Sequence, residues 1–150
     1  MIYKKSWKYI LKKEIGTRLY YRPVATRSFF DVQKGDVGGY IQHYYNLSQS
    51  GNCWIYDFAK VCDNARVSEN AKVSDKARVY GDTKVFGEAW VTDYALVCGN
   101  AQVSGHACIR DKSMIYGNAK VLDYAVTLKS ADVGGDTIVS GNTKVSKEDS

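Results

Sequence analysis

From Cys53 to Glu148 the chain cycles through a small residue, a variable one, an aliphatic one, a variable one and two turn formers, every six positions. Cut in sixes it begins CWIYDF, AKVCDN, ARVSEN, AKVSDK, ARVYGD and continues so to TKVSKE. Across these sixteen hexads the third residue is Ile or Val fifteen times, with Thr127 the exception, and the first is always Ala, Ser, Thr or Cys. Positions one and three share one face of a strand, and positions two and four share the other. The Gly, Asp and Asn residues of positions five and six form turns. Each hexad therefore predicts a very short strand and a corner, and an unbroken fixed period predicts a solenoid. A helix is excluded, because apolar residues six apart would walk around a 3.6-residue helix.

Every third hexad repeats its corner chemistry. The sixth positions Asn64, Asp82, Asn100, Asn118 and Asp136 form one column, and the fifth positions Asp57, Asp75, Asp93 and Asp111 form another. Asp63, Gly81, Gly99, Gly117 and Gly135 form a mostly glycine column. A period of 18 residues separates these columns where a period of 12 mixes them. The expected fold is all-β, a triangular parallel solenoid with three strands per coil and about five coils over 53–148.

These hexads resemble the hexapeptide-repeat proteins, which form left-handed parallel β-helices; the handedness is what the resemblance implies. One departure is the Gly or Asp two positions after the Val, where the family places it one position after. Residues 35–52 read as a transition coil that keeps the hexad register, with His43 and Gln49 at third positions. Residues 1–34 read as a basic and aromatic N-terminal cap, rich in β-structure, that covers the open edge of the first coil. The motif DVGG stands at Asp36–Gly39 and again at Asp132–Gly135. The order Gly35–Tyr40, Asn46–Ser48 and Trp54–Asp57 is similar to a group of phage and bacterial hexapeptide-repeat proteins. No common biochemical function attaches to that group; together with the outward aromatics it motivates one version of the expected function, a phage accessory protein that blocks a host factor such as a defence complex.

The net charge of +5 is unevenly placed. Residues 1–34 carry nine Lys/Arg against Glu14 and Asp31, while 35–150 carry twelve Lys/Arg against fourteen Asp/Glu. Lys4, Lys5, Lys8, Lys12, Lys13, Arg18 and Arg22, interleaved with aromatics, are candidate anion or nucleic-acid contacts. No apolar run reaches the ~18–20 residues of a membrane span. The charged start does not read as a signal peptide, so a soluble cytoplasmic protein is expected, in the bacterial host if phage-encoded.

Enzymes on the resembling fold are trimeric acyltransferases with a His general base between subunits, and such an enzyme is the alternative function. The uninterrupted register leaves no loop to hold an acyl donor. His106 falls at a corner and His43 in the transition coil, so both read as structural. Cys53, Cys62, Cys98 and Cys108 lack CxxC spacing or an adjacent base and read as packing thiols. The aspartate ladder reads as corner capping, so no metal and no cofactor is expected.

Binding should instead show on positions two and four. One outward face, with Arg66, Lys84, Gln102 and Lys120, is polar. A second carries Trp54, Tyr56, Trp90, Thr92, Cys108, Val126 and Leu128, and the third carries Tyr80, Leu96, Cys98, Met114 and Tyr116. Stacked apolar columns of this kind are seldom left uncovered. Three coverings are open: a second or third copy of the chain, a protein partner, or the cap folded along the rod. Trp54, Tyr56, Tyr80, Trp90, Tyr94, Leu96, Met114 and Tyr116 are the candidate protein-contact residues. The expected function is a non-catalytic solenoid that presents these faces, as a dimer or trimer, to a protein partner.

Overall fold

A computed structural model describes residues 7–14 and 20–148. The described chain is an all-β parallel solenoid of about 6 turns, with 18 residues per turn over the repeat. Short strands, most of them two residues long, stack into three sheets of eight, six and five strands. The register is direct: Lys72 pairs with Trp90, Trp90 with Cys108, and Cys108 with Val126, and the other two sheets step likewise. First and third positions point inward, and from Ala59 to Ala125 every Ala and Val at these positions is buried.

The corners are what make strands this short sufficient. Every fifth-position residue from Asp57 to Gly141 has φ near +60°, in the left-handed region. Only Gly adopts it freely, with Asp and Asn the least strained alternatives. The carboxylates then do a second job. Asp93 accepts the N–H of Asp111 (3.0 Å), Asp111 that of Lys129 (2.6 Å), Glu69 that of Gly87 (2.7 Å) and Asp123 that of Gly141 (2.8 Å). The aspartate columns are therefore staples between coils. At the glycine corners the coils approach too closely for a side chain: a Cβ on Gly99 would stand 2.9 Å from both N and O of Gly117.

The N-terminal segment is a hairpin of β1 (Tyr9–Lys13) and β2 (Tyr21–Ala25), antiparallel with Tyr9 opposite Ala25 and Lys13 opposite Tyr21. β2 pairs antiparallel with β3 (Tyr40–Ile41), and β3 pairs parallel with Lys60–Val61, so the hairpin extends the eight-stranded sheet. The expectation that 35–52 keeps the hexad register is corrected here. Ile41 pairs with Val61 and Leu47 bridges to Val67, both offsets of 20 residues. The two extra residues lie in the loop before Trp54, and they make Ile41 and Leu47 the inward residues.

His43 is exposed and stacks on Tyr45 at 4.7 Å, while Gln49 turns to the hairpin and accepts the N–H groups of Lys8 (2.7 Å) and Tyr9 (3.1 Å). Buried Asn46 bolts the coil: its Oδ1 accepts from Gln42 and His43, and its Nδ2 donates to the carbonyls of Asp63 and Ala65. The two DVGG motifs are not equivalent, since Val37 is exposed and Val133 is buried. Gly38 and Gly39 admit no Cβ against the carbonyls of Ile55 and Ala59.

Two substitutions at non-adjacent positions test these constraints with opposite signs. Gly99→Ala is expected to lower unfolding free energy by about 2 kcal/mol or more, from left-handed strain and backbone contact. Thr127 fills a Val slot with a buried hydroxyl that has no hydrogen-bond partner. Thr127→Val is expected to raise stability by about 1 kcal/mol. Urea denaturation of both variants measures the pair.

Candidate functional site

The sheets sort the outward side chains into columns at rung spacing. On the eight-stranded sheet, position two runs Lys60, Arg78, Leu96, Met114, Asp132. Position four runs Cys62, Tyr80, Cys98, Tyr116, Gly134 in the same order of coils. Leu96 and Tyr80 are half-buried, and Met114 and Tyr116 are exposed. Tyr116 lies across Gly134, where a Cβ would meet the ring at 2.3 Å. A hydrogen bond to the Asp132 carboxylate pushes the Tyr116 phenol pKa up. The sequence-predicted residues Tyr80, Leu96, Met114 and Tyr116 thus share one face, with Arg78 above and Asp132 below.

The six-stranded sheet divides its predicted residues differently. Trp54 faces outward but is only 2% exposed, because the cap lies on it: Tyr9 and Phe29 pack edge-on at 6.2 and 5.4 Å. Tyr56 donates its phenol proton to Asp31 of the cap (2.7 Å), and burial with this bond raises its pKa. Both were expected on a partner-facing surface. The cap covers Trp54 almost completely and Tyr56 in part, so Trp54 is internal and Tyr56 stays half-buried. Trp90 remains half-exposed, and Tyr94 stands exposed at the adjoining corner with the Lys76 ammonium 5.6 Å from its ring. A third set that the sequence did not single out lies where the hairpin meets the eight-stranded sheet. Tyr20, Tyr40, Phe58, Lys60, Lys76 and Arg78, with Glu14, line an open groove of about 520 Å³. Its residues come from four separate stretches of chain, the hairpin, Tyr40, Phe58–Lys60 and Lys76–Arg78, so no local pattern announces it.

The basic cluster does not form one surface. Lys8 is fully buried, its ammonium donating to the carbonyls of Ser50, Gly51 and Cys53 (3.4, 3.3 and 2.8 Å). Desolvation lowers its pKa, and its contact with Cys53 partly opposes the shift. The expectation that Lys8 contacts an external anion is corrected: those three carbonyls outbid a solvated phosphate. Arg22 is spent on the carbonyls of Gly38 (2.8 Å) and Asp57 (3.1 Å). Lys12 and Lys13 are exposed, and Lys4, Lys5 and Arg18 lie outside the described residues.

Neither histidine meets a nucleophile. His106 Nδ1 is 3.2 Å from the Glu88 carboxylate and its ring stacks on Tyr124 at 4.7 Å, both at exposed corners. The four cysteines are free, and burial pushes the pKa of Cys53, Cys62 and Cys108 up, away from the reactive thiolate. Among the described residues no three His, Cys, Asp or Glu side chains form a metal-ligating group, and no helix is long and apolar enough to cross a membrane. No protein-family model matches the chain, and no curated protein matches it.

Lys8 provides a direct check of cap against contact surface. Lys8→Met leaves three carbonyls without their donor and is expected to cost about 1–3 kcal/mol in urea unfolding. The double variant Lys12→Ala, Lys13→Ala is expected to stay within about 0.5 kcal/mol of the parent.

Proposed function

We propose that this chain is a non-catalytic binding scaffold that acts as an antiparallel homodimer through the outward face of its eight-stranded sheet. The observation that carries the reading is the order of the position-two column: cation, apolar, apolar, anion, as Arg78, Leu96, Met114 and Asp132. Two copies placed face to face, related by a two-fold axis crossing the rods between the Leu96 and Met114 rungs, run in opposite directions. Leu96 then lies opposite Met114 of the partner subunit, and Arg78 opposite Asp132 of the partner subunit. Position four sets Cys98 opposite Tyr116 of the partner subunit, and Tyr80 at the rung where Tyr116 covers Gly134. This is the self-complementarity that an isologous interface requires. A parallel arrangement, or a cyclic trimer through this face with coils in register, sets Arg78 near Arg78 and forfeits the pairing.

The resemblance of the hexads to left-handed hexapeptide-repeat proteins of phages and bacteria supports a scaffold role. In this reading the dimer leaves the six-stranded face free for a binding partner, the host-directed accessory role being one version. An acyltransferase reading finds less support: among the described residues the repeat from Cys53 to Glu148 throws out no loop, and the histidines are engaged at exposed positions. Nucleic-acid binding through the cap loses Lys8 and Arg22 to internal carbonyls.

Light scattering and sedimentation test the dimer. The wild type is expected to run as a dimer, Met114→Asp as a monomer and Arg78→Asp as a weakened dimer. The double swap Arg78→Asp with Asp132→Arg is expected to restore association. A wild-type monomer at high concentration, or a swap that fails to rescue while the single variants remain folded, overturns the arrangement.

A further inference from the structure

Phe30 breaks a local rule. Its φ is +46°, in the region that bulky residues avoid, and its ring is 69% exposed. It holds the first central position of a tight turn closed by two backbone bonds, Phe29 N–H to Val32 O (2.9 Å) and Val32 N–H to Phe29 O (2.8 Å). A positive φ at the first central position of a turn is a conformation whose usual residue is glycine. Burial does not compensate the strain, because the ring stays in solvent. Strained exposed positions of this kind concentrate where a side chain must be presented.

What Phe30 is presented to is on the neighbouring sheet. The ring rests over the Lys72 ammonium (3.9 Å to its centroid) and lines, with Trp90, a cleft of about 270 Å³. Trp90 is fixed as well. Its Nε1–H donates to Ser74 Oγ (2.8 Å), that hydroxyl donates to Thr92 Oγ1 (2.8 Å), and Thr92 donates to the Asp75 carboxylate (2.6 Å). Two aromatic side chains are thus held in place without a ligand, which lowers the ordering cost of binding one. A second cleft of about 280 Å³, lined by Asp31, Asp57 and Asp75, adjoins across Lys72 and Trp90.

We propose that this paired cleft binds a neutral oligosaccharide, one pyranose ring against Trp90 and Phe30 and the next in the adjoining cleft. A pyranose offers apolar C–H faces to aromatic rings and a rim of hydroxyl donors. Here the rim meets Asn52, Asn70, Glu88 and the three aspartates, and carboxylates accept hydroxyl protons in strong, charge-assisted bonds. The charge selects against other ligands. The lining of the two clefts carries four carboxylates and one ammonium, so a phosphate-bearing ligand is repelled. Lys72 already stands over the Phe30 ring, so a cationic guest gains no contact with that aromatic face. The site lies on the face that the proposed dimer leaves open and does not depend on it.

Titration of the full chain with cellohexaose, chitohexaose and maltohexaose, followed by heat and tryptophan fluorescence, tests the proposal. At least one is expected to saturate, with a fluorescence change that Trp90→Ala removes. Trp90→Ala and Phe30→Gly are each expected to weaken binding tenfold or more. Phe30→Gly is also expected to keep or raise the melting temperature, since glycine suits that φ. No response to any of the three sugars at millimolar concentration overturns the proposal. So does an equal response to AMP or to a lysine-rich peptide, or a lowered melting temperature in Phe30→Gly, which makes the ring structural. The Met114→Asp variant carries the same titration, so failure of the dimer leaves this result readable.

Discussion

The left-handed corner is the constraint on which the molecule rests. A two-residue strand has too few hydrogen bonds to persist alone, and it survives only because every coil repeats the last at the same height. The fifth-position φ near +60° turns the chain at each corner; the N–H there reaches a carboxylate of the coil before it, and the N–H of the next residue donates to a carbonyl of the coil after it. Where the corner is glycine the backbones themselves close the gap. Asp and Gly alternate in these columns because both tolerate the conformation, one adding a staple and the other allowing closest approach.

The cap follows from the same logic applied to an edge. A first coil has nothing above it, so its strand groups and its outward Trp54 need another covering. The β1–β2 hairpin supplies strand partners, Tyr9 and Phe29 supply the apolar cover, and buried Lys8 supplies donors to three carbonyls with no coil to answer them. The two-residue expansion before Trp54 accommodates this junction. Asn46 and Gln49 serve there as backbone surrogates, their amides offering both donor and acceptor.

With inward positions committed to packing, function is left to the outward ones, and the three sides diverge. One is polar. The eight-stranded side carries a graded column from cation through apolar to anion, which motivates the proposed pairing of two copies. The six-stranded side carries the Phe30–Trp90 cleft, where a strained turn and a fixed indole stand ready on a surface the core does not need. Function on this rod is written in the interrupted positions, while the repeat supplies spacing.

The repeat specified the solenoid, its 18-residue coil, the inward Ala and Val stack and which outward residues share a side. It did so because a strict repeat makes each contact the nearest neighbour of a copy of itself, so periodicity alone places every side chain. The same period made Trp90, Leu96, Met114 and Tyr116 legible as outward residues. Only the tertiary structure decided what happens where the period stops. Trp54 looked like surface until the cap lay over it, Lys8 looked like a free cation until three carbonyls surrounded it, and Gln49 looked inward until the coil gained two residues. Phe30 left no periodic trace at all. These are contacts between segments with no common repeat, and their geometry depends on how an irregular chain packs against a regular one.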